Sequence, residues 1–130
     1  MELKEGIKGE FHLLVTREML AKSMSSGAVE VFATPWMIAI MEAAAQDSVA
    51  SAVGEGNITV GTQVNIAHLA STPEGAKVRA ESELVSIDGR KLTFRVSAYD
   101  EMEKIGEGTH ERFIVQYDRF MEKCNRKARG

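Results

Sequence analysis

Between Phe32 and Gln46 the chain is apolar on nearly every side, with a single charge, Glu42, set inside the run. A stretch this rich in Ala, Met and Ile predicts a helix, and a helix apolar all round must be enclosed by the rest of the chain. Its start is marked. Thr34 offers a hydroxyl to the free N–H groups of the first turn, and Pro35 suits the first helical position, where no N–H is needed. Gly54-Glu55-Gly56-Asn57 marks its stop, which predicts a helix running to about Val53. An ionised carboxylate in such surroundings is costly unless it is paired or neutralised. Glu42 is therefore a functional candidate. The bland alternative is a carboxylate that reaches the helix edge or meets an arginine.

What surrounds this helix follows from a change of period. Residues 7–15 predict a first strand, and residues 16–21 a short helical turn capped by Thr16. Beyond Gly56 the period drops to two. Ile58, Val60, Thr62, Val64, Ile66 and His68 share one parity, which predicts a long strand with one apolar face. Thr72-Pro73-Glu74-Gly75 predicts a turn, and residues 77–87 a second strand. There the phase of Val78, Ala80 and Leu84 slips to that of Val85 and Ile87, which predicts a bulge. Asp88-Gly89 is a hairpin turn, after which Leu92, Phe94, Val96 and Ala98 alternate with polar neighbours. Residues 105–117 predict the last strand, with His110, Arg112 and Ile114 on one parity. Asp118 is expected to cap a short terminal helix, whose basic end, residues 123–130, is expected to fray.

A strand, one apolar helix and a meander of four strands predict an α+β fold, a curved antiparallel sheet wrapped around the helix. The open sheet edges invite a second copy of the chain. At 130 residues the chain suits a single domain spanning 1–130. The net charge of −3, with both signs interspersed, argues against a nucleic-acid surface. Cys124 is the lone cysteine, so neither an intrachain disulfide nor a zinc knuckle is expected. The three histidines lack metal-ligand spacing, and no metal or resident cofactor is expected. The N-terminus lacks the layout of a signal peptide, and the apolar run is too short to span a membrane. A cytoplasmic protein with no membrane partner is the simplest reading. Neither a phosphate-binding glycine loop nor a Gly-x-Ser-x-Gly elbow occurs.

Four further residues join Glu42 as candidates. His68 lies on the apolar parity of its strand; the alternative is a core or interface histidine bonded to a carbonyl. Thr34 could be no more than a helix cap. Together, however, a hydroxyl, a carboxylate and an imidazole are the components of acyl transfer or hydrolysis. Gly61, inside the His68 strand, permits close approach of a ligand or another backbone, or marks a bulge. Arg112 could hold a phosphate or a carboxylate, or form a surface ion pair. Thr34 and Glu42 lie eight positions apart, about 12 Å along a helix, so they cannot bond directly. Serving one reacting group would take a second subunit, a substrate or a water. This points to a dimer with its site near the subunit boundary.

Three stretches also resemble a known family. They are the run from Phe32 to Ala44, Thr59-Val60-Gly61-Thr62-Gln63-Val64-Asn65-Ile66-Ala67-His68-Leu69-Ala70 with Thr72-Pro73-Glu74-Gly75, and Gly108-Thr109-His110-Glu111-Arg112-Phe113. They resemble the hotdog-fold thioesterases related to fluoroacetyl-CoA thioesterase, over nearly the whole chain. The resemblance implies a hotdog homodimer with its site at the interface. It implies Thr34, Glu42 and His68 as catalytic residues, Gly61 against the thioester carbonyl, and Arg112 as the arginine of the last strand. The fluoroacetyl-CoA enzyme carries phenylalanines in a lid before the helix. The corresponding loop here, Ser25-Ser26-Gly27-Ala28, has no aromatic residue.

The reading that results is hydrolysis of an acyl-CoA, with coenzyme A entering only as part of the substrate. Glu42 would act as nucleophile or as base on a water, and His68 would move the protons. Thr34 would orient Glu42 or the substrate. The Gly61 N–H would stabilise the oxyanion. The alternative is a non-catalytic acyl-CoA or lipid-binding module on the same fold. A hydratase ranks last, because no Asp–His pair lies close together in the sequence.

Overall fold

The computed structural model describes residues 1–129; Gly130, the end of the tail expected to fray, lies outside the described residues. The period-two segments form β1 (Lys8–Leu14), β2 (Asn57–His68), β3 (Lys77–Asp88), β4 (Lys91–Tyr99) and β5 (Lys104–Gln116). The apolar run forms α1 (Thr34–Val49), and the C-terminal region forms α2 (Tyr117–Arg126). Short 3-10 turns occupy Arg17–Met19 and Lys127–Arg129. All five strands join one antiparallel sheet, in the order β1-β3-β4-β5-β2, curved about α1. The α+β arrangement is the expected one.

The topology departs from a simple meander. Strands β3, β4 and β5 are consecutive neighbours, but β2 pairs with β5 at the far edge and β1 pairs with β3. The link between β2 and β3 is a loop rather than a tight hairpin, so it does not force them together. Its Thr72 carbonyl accepts the Phe32 N–H, and its Thr72 hydroxyl donates to Asp100.

The core forms where α1 lies on the sheet. Met37, Ile40, Met41 and Ala44 pack with Leu84, Leu92, Phe94, Val96 and Ala98, all buried. Each large side chain so enclosed stabilises the fold by roughly 1.5–3 kcal/mol relative to exposure. Closeness on this side depends on Gly9 of β1. A Cβ there would stand 2.7 Å from Ser48 Cβ and 2.8 Å from Ser82 Oγ, and would collide with the Ala44 carbonyl.

Enclosure of the helix is incomplete. Pro35, Ala39 and Gln46 are exposed, and Glu42 and Ala43 half-buried, so the chain alone leaves one apolar flank of α1 uncovered. The helix also stops at Val49 rather than near Val53, and Ala50 to Ala52 continue as turn. The slip foreseen in β3 is present, as a register shift between Leu84 and Ser86. A second shift, between Gly61 and Gln63, corrects the single apolar parity expected for β2. Thr62 is the extra residue. Gly61 pairs with Arg112 before it and Val64 with His110 after it, so Thr59, Gly61, Val64, Ile66 and His68 share the inner face while Ile58 and Val60 point outward.

Two expected caps also differ. Thr16 makes no capping hydrogen bond to its 3-10 turn. The cap of α2 is Gln116, whose side chain accepts the Arg119 N–H at 2.7 Å, with Asp118 in the first turn. An acid inside the first turn still favours the helix through its dipole.

Candidate active site

The first turn of α1 places a hydroxyl beside the end of β2. The N-cap of α1 is Ala33, which moves Thr34 to the first helical position and frees its side chain from capping. The Thr34 hydroxyl instead lies 2.6 Å from His68 Nδ1. His68 pairs with Gly106 on β5, where a Cβ would strike the Met37 side chain at 2.6 Å; the glycine thus lets helix and strand approach here. Burial holds the His68 imidazole below its ordinary value, and the nearby Ala70 backbone opposes this only in part. His68 Nε2 is buried and makes no hydrogen bond of good geometry. Both residues line a cleft of about 380 Å³ whose other walls include Ala21, Gly27, Val29 and Phe32. A cleft of about 370 Å³ elsewhere is walled by Lys8, Glu10, Glu81, Glu83 and Arg95, and brings none of the candidate residues together.

Two turns further along α1, Glu42 faces the bulge of β2. A Cβ added to Gly61 would lie 3.2 Å from Glu42 Oε1, 3.2 Å from His110 Cε1 and 3.4 Å from Arg112 Nη1. Gly61 is therefore the point at which backbone, carboxylate and two basic side chains converge. Neither basic residue is at the surface: His110 is 1% exposed and Arg112 5%. The Arg112 guanidinium donates to Thr59 Oγ1 at 2.8 Å and to the Thr59 carbonyl at 2.9 Å. It also meets His110 Nε2 at 3.1 Å, while His110 Nδ1 lies 2.9 Å from the Gln63 carbonyl. A guanidinium can only donate and a carbonyl can only accept. His110 is thus neutral, with its proton on Nδ1. Burial holds it below its ordinary value, and Arg112 adds to that effect, against the Gln63 carbonyl and Glu42. Burial likewise lowers Arg112, and Glu42 opposes it.

The candidates therefore form two groups within one chain. Thr34 and His68 are in contact, and Glu42, Gly61 and Arg112 cluster together. Between the groups lie two turns of α1, about 12 Å of rise. His12, which had no expected role, is exposed and pairs with Glu10 at 3.0 Å. His110 was passed over in the sequence because it has no local partner signature. The available signal was its parity with Arg112, which puts two basic groups opposite Leu92 and Phe94 on an inward face. Among the described residues, no cluster of His, Cys, Asp and Glu is suited to a metal ion.

Comparison with known proteins gives a consistent set of matches. The family model for the fluoroacetyl-CoA-specific thioesterase matches residues 15–118. A fluoroacetyl-CoA thioesterase of Streptantibioticus cattleyicolor is 41% identical over 99 residues, covering 76% of this chain and 71% of that protein. A crystal structure of the fluoroacetyl-CoA thioesterase FlK superposes with a TM-score of 0.90 at 32% identity, covering 98% of both chains. A Thermus thermophilus protein described as a thioesterase superfamily member gives 0.89 at 31% identity, covering 97% of this chain and 93% of that one. A hot-dog-like protein of Thermanaerovibrio acidaminovorans, 18% identical with a TM-score of 0.86, shares the fold.

Proposed function

The chain belongs to the fluoroacetyl-CoA-specific thioesterase family, and on that premise we propose that it is an acyl-CoA thioesterase acting through Thr34, Glu42 and His68. The observation that carries the reading is the 2.6 Å contact of Thr34 with His68 on the wall of an apolar cleft, with Glu42 held against Gly61 on the same strand. Hydrolysis joins the oxygen of water to the thioester carbonyl carbon, breaks the carbon–sulfur bond and returns a proton to the thiolate. Glu42 either removes the proton from that water or attacks the carbonyl itself, giving an anhydride that water then opens. His68, neutral at the start and with Nε2 uncommitted, takes up the proton that water gives up in the reaction and passes one on to the leaving sulfur, so that it ends neutral again. Thr34 fixes the imidazole. The Gly61 N–H faces the oxyanion, a donor typically worth about 3 kcal/mol. Arg112 stands behind this wall, holding Thr59 and facing Glu42, and so supports the part of β2 against which the substrate lies.

The two groups of residues reach one carbonyl if the chain works as a homodimer. A two-fold axis would set the Glu42 group of one protomer against the Thr34–His68 pair of the other, making two equivalent sites. Val64, 42% exposed on the inner face of β2, and the open flank of α1 at Ala39 and Ala43 supply the apolar surface for that contact. We place the enzyme in the cytoplasm, as a unit spanning residues 1–130, with coenzyme A as part of its substrate and no resident cofactor. No described helix is long and apolar enough to cross a membrane.

The cleft suits an uncharged acyl group, and the loop over it carries Ser26 and Gly27 rather than aromatic side chains. A thiol-release assay over fluoroacetyl, short, branched, aromatic and long acyl-CoAs tests the activity and reads the acyl preference. Release of thiol by the wild type and its loss in Glu42→Gln support the reading; tight binding with no release would replace it with an acyl-CoA carrier. Single turnover in 18O-water separates base from nucleophile, because only a nucleophilic Glu42 takes up the label. Sedimentation of wild type and Val64→Lys tests assembly: a fully active monomer would remove the shared site.

A further inference from the structure

His110 is buried, hydrogen-bonded at both ring nitrogens and in contact with the proposed site, yet the reaction gives it no part. We propose that His110 is a positioning residue: it clamps Arg112 against Thr59 and so keeps the guanidinium from collapsing onto Glu42. This rests on the assignment of Glu42 above. The residues form a chain of single-valued contacts. The Gln63 carbonyl, at the bulge, takes the His110 Nδ1–H. That leaves Nε2 as a lone-pair acceptor for Arg112 Nη1. Thr59 takes two more guanidinium N–H groups through its hydroxyl and its carbonyl.

Three of the five guanidinium donors are thereby committed to neutral partners. Glu42 is the charge that acts on both Arg112 and His110, yet it forms no ion pair among the described residues. An arginine free to rotate beside a carboxylate makes a bidentate pair with it. Such a pair would occupy both Glu42 oxygens and quench it as base or nucleophile. His110 removes that option by holding Nη1 on its own Nε2 lone pair. The groups facing its ring are Arg112 from β5, Glu42 from α1, the Gln63 carbonyl from β2 and the Phe94 ring from β4, 6.3 Å away between centroids.

The test uses the full chain and two substitutions. His110→Phe fills the space and removes both ring nitrogens; His110→Gln restores an acceptor near the place of Nε2. In 15N spectra of the wild type, His110 is expected with a proton on Nδ1 and a bare Nε2, and the Arg112 Nε–H to exchange slowly. His110→Phe is expected to accelerate that exchange at least about tenfold and to move the Glu42 carboxyl 13C resonance, and His110→Gln to reverse both. In thiol release, kcat should fall about 10–100-fold in His110→Phe, a loss typical of removing the partner that orients a working group, with KM little changed. His110→Gln should recover most of it. Glu42→Gln combined with His110→Phe should be no slower than Glu42→Gln alone.

The opposite tautomer in the wild type overturns the proposal, as does unchanged Arg112 exchange in His110→Phe, failure of Gln to rescue, or additivity in the double variant. If His110→Phe does not fold, the wild-type tautomer and His110→Gln decide. The spectra are read with or without turnover, so a wild type that releases no thiol would defeat the thioesterase reading and leave the positioning result standing on its own.

Discussion

The two flanks of α1 are packed by opposite means. Toward β1 and β3 the contact is so close that Gly9 has no room for a Cβ against the Ala44 carbonyl, Ser48 and Ser82. Toward β2 the inner face stays open: Val64 and Gly61 are exposed, His68 and Glu42 half-buried. Every proposed working residue stands on the open flank or at its ends. One helix thus holds the fold together with one side and leaves the other open, where the proposed site and the proposed contact between protomers lie. Low packing density is where binding surfaces are found, because a closed core admits nothing.

This division can be broken by substitution. Glu42→Gln on the open flank should lower kcat about 10³-fold, within the range for loss of an acid–base group. Its thermal midpoint should stay near that of the wild type; a matching loss of stability would show that the open flank also holds the fold. Gly9→Ala on the closed flank should do the reverse. Overpacking there should cost about 1–3 kcal/mol in urea unfolding, with kcat/KM unchanged in the folded fraction.

Thr34 sharpens the comparison, because it sits where the helix begins and the site ends. If its hydroxyl serves His68, Thr34→Ala costs about tenfold in kcat with little change in stability, and Thr34→Ser recovers the rate. If instead it serves the helix terminus, the cost is about 1 kcal/mol of stability with turnover intact. The smallest effect expected is in pH dependence. His68 and His110 both sit below their ordinary value of 6.5, so under acid conditions the unfolded chain binds more protons than the folded one. Stability is therefore full above 6.5 and falls as pH drops below it. His68→Ala should flatten that slope in urea midpoints measured across the interval; an unchanged slope would mean that the imidazole is as solvated in the fold as out of it.

Legibility in the sequence followed the range of the interaction. The helix, the strands and the oddity of Glu42 are local and were readable from period and composition. Thr34 was readable as a candidate but not as a contact of His68, since a position next to Pro35 fits a cap equally well. Where β2 lies was not readable, because the link after His68 is long enough to reach either edge. The inner face of β2 was misread before Thr62, at Ile58 and Val60, because Gly61 fits a bulge and a close approach equally well. Arg112 and His110 find their partners in Thr59 and Gln63, on a strand far away in the chain, and only the pairing register brings those four side by side.

Thr62 has no opposite number on β5, and its hydroxyl is turned to the Glu111 carbonyl at 3.2 Å. Were Thr62 instead to take a regular place in the ladder, everything downstream would turn by half a pleat: Val64, Ile66 and His68 would emerge on the convex side while Thr59 and Gly61 stayed put. The imidazole would then be carried out of reach of Thr34 without any change to the imidazole itself. The exclusion of one residue from the ladder, rather than any side chain of the proposed site, thus decides that those side chains share one side of the sheet.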